Sequence, residues 1–425
     1  MSENSNTNFY GLGIAPGILD LISKLGFVTP TPIQHKAIPI AIEGKDVIGI
    51  AQTGTGKTIA FGIPMIQQLS NIKGRGLVLV PTRELAIQVN DSLKQFTSAF
   101  AMPTAVLIGG ESISLQAIAL RKNPRIIIAT PGRLLDHVGQ HRIRLDDVVT
   151  LVLDEADRML DMGFAPQIDR ILRLIPKERQ TMLFSATMPA RIVEIASAHM
   201  KLPVRTEIAP TGTSAEGVSH EIFVVNSDKK GSLLSEMLKK YNGSVLVFTR
   251  TKRGASKVTR TLRAKRLSAT EIHSNRSLNQ RKEALTGFKS GRFRILVATD
   301  IAARGIDVKG IELVLNYDLP DDPEQYVHRI GRTGRAGQTG HAISFATPDQ
   351  GSDVRTIEKL IRKTIPLSSH PSIPVEVFSK HSTPKPVFKG RRYFGTQPKR
   401  KSNSGGSSHH RFSKTARHSG HSKKH

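Results

Sequence analysis

The segment "AQTGTGKT", residues 51–58, is small and polar although it lies between two apolar stretches. In a loop that leads from a strand into the N-terminus of a helix, backbone N–H groups and the helix dipole favour a phosphate. Gly54 and Gly56 would let the backbone wrap closely around it. Lys57 would then reach the β- and γ-phosphates, and the Thr58 hydroxyl would ligate Mg²⁺. The segment therefore predicts a nucleoside triphosphate site.

The stretch "VVTLVLDEAD", residues 148–157, supplies the acids that such a site needs. Asp154 follows an apolar run, as expected for a parallel strand that is buried on both faces. Its carboxylate is placed to hold Mg²⁺, and Glu155 is placed to polarise an attacking water. Together with residues 51–58, this order of motifs predicts nucleotide hydrolysis.

Hydrolysis also needs positive charge at the departing γ-phosphate. In "HRIGRTGRAG", residues 328–337, arginines recur every third residue with glycines between them. The glycines argue against a long helix and favour a turn followed by a short helix that presents Arg332 and Arg335. As arginine fingers these residues would act from the second half of the chain, so both halves must close on one nucleotide.

Short apolar runs alternate with helical patterns along the chain, which predicts βα units and parallel sheets. The runs are "DVIGI", "GLVLV", "TAVLI", "RIIIA", "TLVLD" and "TMLFS" in the first half, and "SVLVF", "RILVATD", "ELVLNYD" and "HAISFA" in the second. We expect an α/β protein with two tandem parallel-sheet domains at 1–207 and 220–366, joined by a linker at 208–219. A Pro-, Gly-, Ser-, His- and Lys/Arg-rich tail at 367–425 is expected to be disordered.

The chain carries 62 Lys+Arg against 35 Asp+Glu, a net charge of +27. Twelve of these cations and no acid lie in 381–425. Such an excess indicates a polyanionic partner, most simply nucleic acid. Basic side chains bind its phosphates and release the counterions held there. A merely solubilising surface is the alternative, and the motifs decide between the two.

The chain has no cysteine, which excludes disulfides and cysteine-ligated zinc or iron–sulfur sites. The start "MSENSNTN" is polar, and no apolar run approaches the roughly 20 residues that span a bilayer. We therefore expect a soluble cytoplasmic protein with no membrane association.

The chain resembles the DEAD-box family of ATP-dependent RNA helicases from about Phe9 to Thr347, with the motifs in family order. They are "GFVTPTPIQ" (26–34), "AQTGTGKT", "PTRELA" (81–86), "GG" (109–110), "TPGR" (130–133), "DEAD" (154–157), "SAT" (185–187), "VFTRTK" (247–252), "ATDIAARGID" (298–307) and "HRIGRTGRAG". The resemblance implies tandem RecA-like domains, ATP and Mg²⁺ as cofactors, and RNA as the partner. The compact core and basic tail look most similar to the bacterial RhlE-like branch.

Residue roles follow from the resemblance. In the nucleotide site, Phe27 would stack on adenine, Gln34 would bond its edge, and Asp307 would touch the ribose. The remaining loop positions implied to bind the nucleotide are Ala51, Gln52, Thr53 and Thr55. Ser185 and Thr187, together with Asp157 and His328, would couple the "DEAD" acids to domain closure.

The RNA surface is predicted partly from position. Pro81, Thr82 and Arg83, and likewise Thr130 and Arg133, follow apolar strands and open helices, so they share a sheet edge with the phosphate loop. The resemblance adds Gly110, Thr249, Arg281 and Thr299. These residues would contact the RNA backbone and its 2′-hydroxyl groups. Binding is therefore expected to depend little on the base sequence of the RNA. The chain departs from many relatives at Ser274 and at Leu278, where a glutamine is usual.

These expectations describe an enzyme that binds ATP and single-stranded RNA across two domains and separates short duplexes locally and non-processively. An ATP-switched RNA clamp or annealing scaffold is one alternative, and a DNA-directed helicase of the same superfamily is another. We expect a monomer, with ribosomal or RNA-degradation assemblies as partners. The sequence does not identify the RNA or the cellular process.

Overall fold

The computed structural model describes residues 8–52, 54–208, 217–303, 308, 310–334, 339–371 and 373–379. The first lobe contains α1 (Pro16–Lys24), α2 (Pro32–Ile42), β1 (Val47–Ile50), α3 (Lys57–Asn71), β2 (Arg75–Leu79), α4 (Arg83–Thr97), β3 (Thr104–Leu107), α5 (Ile113–Arg121), β4 (Ile126–Ala129), α6 (Pro131–Gly139), β5 (Val148–Leu153), α7 (Ala156–Asp161), α8 (Ala165–Leu174), β6 (Gln180–Ser185), α9 (Ala190–His199) and β7 (Val204–Glu207). The second lobe contains β8 (Val218–Val224), α10 (Lys230–Lys240), β9 (Val245–Phe248), α11 (Lys252–Ala264), β10 (Ala269–Ile272), α12 (Leu278–Lys289), β11 (Ile295–Ala298), α13 (Asp300–Ala303), β12 (Leu313–Asn316), α14 (Pro323–Ile330), β13 (Gly340–Ala346), α15 (Gly351–Ile361) and β14 (Leu367–Ser368).

Each lobe is built on one seven-stranded sheet, and the two sheets have the same topology. The first has the order β3-β4-β2-β5-β6-β1-β7, and the second repeats it strand for strand as β10-β11-β9-β12-β13-β8-β14. The strand pairings are parallel throughout the described chain, for example β1 with β6 and β8 with β13. The predicted class of tandem parallel-sheet α/β domains is confirmed. None of the described helices is both long and apolar enough to cross a membrane.

Both faces of each sheet are covered, which explains why strands such as β1, β4, β9 and β11 are entirely apolar. Successive side chains of a strand point to opposite faces. In β4, Ile126 and Ile128 join one core cluster of the first lobe, while Ile127 and Ala129 join the other. The strands of the second lobe alternate in the same way between two clusters. With the strands fixed from both sides, the loops at their carboxyl ends are held along one edge.

Several sequence expectations need correction. Four strands were not predicted: β7, β8, β10 and β14. The first two residues of strand β8, which begins at Val218, fall within the predicted linker, and 209–216 of that linker lie outside the described residues. The predicted tail begins too early, because β14 pairs with β8 and Phe378 packs on the core beneath α15. From 380 onward the tail lies outside the described residues.

Candidate nucleotide and RNA site

The phosphate loop connects β1 to α3, as predicted, and its conformation requires glycine. Gly54 and Gly56 both have φ of 88°, where other residues are strained. A Cβ at Gly56 would lie 2.4 Å from Nε2 of Gln34. That amide donates to the Gly56 carbonyl at 3.1 Å, while Gln34 Oε1 accepts from the backbone N–H of Thr31 at 2.9 Å. Gln34 therefore ties the start of α2 to the loop, and Phe27, just upstream, remains partly exposed.

Lys57 lies buried at the start of α3, between the loop and the acid after β5. Its Nζ donates to the carbonyl of Ala51 at 3.1 Å and is 4.0 Å from Oδ1 of Asp154. Within the loop, the Thr55 hydroxyl donates to the Gln52 carbonyl at 2.7 Å. Thr58, the next residue of α3, is half-buried, and Thr53 lies outside the described residues. The structure thus brings the predicted cation and carboxylate together at a turned, glycine-dependent loop.

The two acids after β5 have different electrostatic environments. Burial raises the pKa of Asp154 to about 6, although the Lys57 ammonium works in the opposite direction. Burial also acts to raise the pKa of Glu155, yet Arg158, Lys57 and Arg332 together hold it below its ordinary value. The Glu155 carboxylate is 3.1 Å from Arg158. Glu155 also has φ of 53°, a left-handed backbone conformation that is uncommon for a residue other than glycine.

Asp157 joins the "DEAD" turn to the "SAT" turn after β6. Its Oδ2 accepts from the backbone N–H groups of Ala186 and Thr187 at 3.1 and 3.0 Å, and from the Thr187 hydroxyl at 3.2 Å. In return, the Ser185 hydroxyl accepts from the N–H of Asp157 at 3.2 Å. The predicted coupling residues of the first lobe are therefore in direct contact, and the charge of His328 in the second lobe helps to lower the pKa of Asp157, against burial.

Arg332 reaches the acids of the first lobe from the second. It is 4% exposed, and its charge contributes to lowering the pKa of Glu155. It lines a small cavity between the lobes together with Arg158, Asp300, His328 and Arg329. The expected order of turn and short helix is wrong here, because helix α14 comes first and Arg332 lies in the turn after it. Arg335 and Asp307 lie outside the described residues.

On the first lobe, the predicted RNA residues line the carboxyl edge of the sheet. Thr82 caps α4 by accepting from Leu85 N–H at 3.2 Å, Pro81 is buried before it, and Thr130 precedes α6. Arg83 lies against the glycine pair, where a Cβ on Gly110 would be 2.0 Å from its guanidinium. Arg133 donates to the Glu111 carbonyl at 3.0 Å and to Gln116 Oε1 at 3.2 Å.

On the second lobe, Thr249 and Thr299 follow β9 and β11 at the corresponding edge. Thr249 is buried and its hydroxyl donates to the Thr251 carbonyl at 3.3 Å. Arg281 instead points to the first lobe, with Nε 2.6 Å from Oε1 of Glu84 and both side chains nearly buried. Leu278 packs into a core cluster of the first lobe. An RNA contact by Arg281 stays a prediction, and it must compete with this ion pair.

Sequence reasoning missed four charged residues of the site. Arg158 pairs with Glu155, and Glu84 pairs with Arg281. Arg329 is buried and binds both oxygens of Asp300, at 2.6 and 2.7 Å. The available signals were an acid at the end of an apolar strand for Asp300 and the three-residue arginine spacing for Arg329.

Comparison with known proteins agrees with this geometry. The DEAD/DEAH box helicase family matches residues 31–195, and the Helicase conserved C-terminal domain matches residues 228–337. The chain is 42% identical over 371 residues to the DEAD-box ATP-dependent RNA helicase CshA of Geobacillus kaustophilus, covering 86% of this chain and 79% of that protein. It is 42% identical over 370 residues to the Bacillus subtilis CshA, covering 86% and 74%.

Solved structures are similar across both lobes. Dbp5 of S. cerevisiae, bound to RNA and ADP BeF3, superposes with a TM-score of 0.74 at 28% identity, covering 86% of this chain and 95% of that one. A deletion form of Mss116p, bound to single-stranded RNA and AMP-PNP, gives 0.79 at 28% identity, covering 88% and 81%. These likenesses confirm the predicted tandem RecA-like domains.

Proposed function

Because this chain belongs to the DEAD-box family of ATP-dependent RNA helicases, we propose that its two lobes grip one ATP and bend one RNA strand so that short duplexes separate locally. As a member of the family it is an RNA-dependent ATPase. The observation that carries the proposal is the position of Arg332. It is buried in the second lobe and lines one cavity with Arg158 of the first lobe, whose guanidinium is 3.1 Å from the Glu155 carboxylate. This position supports a site to which both lobes contribute charged groups.

Within this site, we propose a chemical role for each side chain. Lys57 would exchange its present carbonyl contact for phosphate oxygens, since it is buried and already at the loop. Glu155, kept ionised by three cations, would orient the attacking water. Arg332, and Arg335 beyond the described residues, would neutralise charge on the departing phosphate. Phe27 and Gln34 would hold the adenine, and Asp307 the ribose.

The residues also fit Mg²⁺. The cation prefers oxygen ligands, and the buried Asp154 carboxylate lies beside Lys57 and the loop that carries Thr58. Asp154 and Thr58 would hold the ion, which supplies neutralisation of phosphate charge when bound. An Asp154 pKa near 6 leaves this carboxylate largely ionised at neutral pH.

RNA would bind along the carboxyl edges of both sheets. Asp157 would couple this binding to closure of the lobes. Arg83 lies against Gly110, and Arg133 donates to Gln116, so both guanidinium groups are near the sheet edge before RNA arrives. Asp157 then connects the nucleotide site to Thr187, and a shift of one turn moves the other. We propose that this contact couples ATP hydrolysis to release of RNA.

The test is separation of a short RNA duplex with ATP or with AMP-PNP. We expect multiple rounds of strand separation with ATP and at most one with the analogue. Equal yields with both nucleotides would favour the ATP-switched clamp. ATPase stimulation by matched RNA and DNA strands separates an RNA-directed from a DNA-directed enzyme, and equal stimulation would contradict RNA preference.

Finer assignments remain proposals of the same function. The basic tail supports similarity to the RhlE-like branch, although the curated relatives described above are named CshA. Deleting residues 381–425 should weaken RNA affinity and flatten its salt dependence while leaving basal ATPase intact, because the segment adds twelve cations and no acid. We also propose that the protein acts as a monomer, which sedimentation tests, within ribosomal or RNA-degradation assemblies.

A further inference from the structure

Helix α11 carries an unusual excess of positive charge. Between Lys252 and Arg266 there are seven Lys or Arg residues and no acid. Its inner face is apolar, with Ala255, Val258 and Leu262 packed into a core cluster of the second lobe. A surface helix in this position normally mixes charges of both signs, so a face of a single sign needs an explanation.

Three of these cations lie directly opposite the buried face. Arg253, Lys257 and Arg260 are spaced i, i+4 and i+7, so they form one row, and all three are exposed. Within the described part of the chain, no ion pair or hydrogen bond engages their charged groups. At a rise of 1.5 Å per residue the row is about 10 Å long.

Acids on the elements that pack against α11 are already engaged elsewhere. On α10, Glu236 pairs with Lys239 at 2.9 Å. This ion pair lowers the pKa of Glu236, to which Lys265, just after α11, also contributes. On β10, Glu271 contacts His273 at 3.0 Å and also Arg276. The row of three cations is therefore not neutralised by its neighbours.

The row begins at the predicted RNA edge of the second lobe. Thr251 caps α11, accepting from Gly254 N–H at 3.0 Å, and lies two residues after Thr249. Lys252 donates to Asn275 at 3.0 Å, in the loop that precedes α12. In a parallel α/β lobe the helix runs back from this edge, so its outer face leads away from the central cleft.

We propose that the outer face of α11, through Arg253, Lys257 and Arg260, binds the phosphate backbone of the RNA strand where it leaves the central cleft. Three cations along about 10 Å can each pair with a phosphate of one strand, so we expect up to three phosphates to be neutralised. Such contacts carry no base information and would lengthen the RNA footprint without changing its sequence tolerance. This inference rests on the proposed RNA binding at the sheet edges.

The experiment measures the affinity of the full-length protein for two oligouridines of different length. The short one is the shortest that fully stimulates ATP hydrolysis by the unsubstituted protein, and the long one is twice that length. The triple variant Arg253→Gln, Lys257→Gln, Arg260→Gln keeps helix propensity and removes three charges. Its matched control is Arg355→Gln, Lys359→Gln, Arg362→Gln at the end of α15. These positions have the same residue types and spacing, but Asp353 lies before them and Glu358 between them.

For the long oligouridine, the α11 variant should lose about 10–100-fold in affinity near 0.1 M salt. Its slope of log affinity against log salt concentration should become shallower by about 2, because each of three lost phosphate contacts contributes roughly 0.7. Its affinity for the short one should match that of the control variant. Equal behaviour of the two variants on the long RNA would overturn the α11 proposal. If the unsubstituted protein showed no RNA-stimulated hydrolysis with either RNA, the proposed function itself would fail instead.

Discussion

Neutralising Glu84 should weaken closure of the lobes more than any change to an exposed charge. Its carboxylate is 2.6 Å from Arg281 Nε, and the two side chains are 5% and 9% exposed. The variant Glu84→Gln keeps a neutral acceptor of the same shape but leaves Arg281 buried without a counterion. Burial and the nearby Arg281 already lower the pKa of Arg83, so losing Glu84 also leaves two arginines facing each other.

Removing one partner of a buried ion pair costs about 3–5 kcal/mol. The lower end of this range corresponds to roughly 100-fold in an equilibrium constant. When the lobes separate, Arg281 regains water, so this penalty falls on the closed arrangement. We therefore expect the RNA concentration for half-maximal closure with AMP-PNP to rise about 100-fold. The double variant Glu84→Gln, Arg281→Gln should recover part of the loss, because no unpaired charge stays buried. Recovery should be incomplete, because the predicted RNA contact of Arg281 is also removed.

Closure can be followed by energy transfer between dyes on introduced cysteines, since the chain has none of its own. Lys122→Cys on the first lobe and Lys289→Cys on the second are exposed positions for the dyes. The matched control is Glu283→Gln, whose pairing with Arg292 at 2.8 Å is largely exposed. Exposed pairs contribute about 0–1 kcal/mol. If Glu84→Gln shifts closure no more than Glu283→Gln does, the buried ion pair does not stabilise the closed lobes.

Three further predictions concern the nucleotide site, its coupling and the second lobe. Lys57→Ala should abolish RNA-stimulated phosphate release while RNA binding without nucleotide persists, and undiminished release would contradict the role of the loop. Thr187→Val removes the 3.2 Å hydroxyl bond to Asp157, so duplexes separated per ATP hydrolysed should fall; an unchanged ratio would count against coupling through this turn. Burial lowers the pKa of His220 from 6.5 to about 4, so the neutral form is favoured on folding and stability is lost as pH falls from 6.5 towards 4. Urea unfolding of the second lobe should lose about 2 kcal/mol more between pH 7 and 5 than in His220→Gln, and parallel pH profiles would refute this.

Local motifs made the nucleotide site predictable from sequence. The phosphate loop and the acids after β5 each depend on a few consecutive residues between a strand and a helix, and Lys57 meets Asp154 as expected. The contact between Asp157 and Thr187 was predicted only through the family resemblance, because serine and threonine after a strand ordinarily cap helices.

Contacts between distant segments could not be predicted in this way. Glu84 and Arg281 are 197 residues apart, and nothing in either local sequence indicates the other. The error at α14 had a readable signal, because Asp322 before Pro323 is a strong helix start and its carboxylate accepts from Glu324 N–H at 3.0 Å. The tail boundary was misplaced since composition hides the packing of Phe378 beneath α15.

The central claim is that hydrolysis uses charge from the second lobe on a nucleotide held by the first. The direct measurement is single-turnover ATP hydrolysis with saturating RNA in the intact chain and in Arg332→Gln, alongside binding of a fluorescent ATP analogue. We predict unchanged nucleotide affinity and a rate lower by about 100–1,000-fold, the effect of removing one charge-stabilising group. Equal hydrolysis rates in the two proteins would contradict the claim.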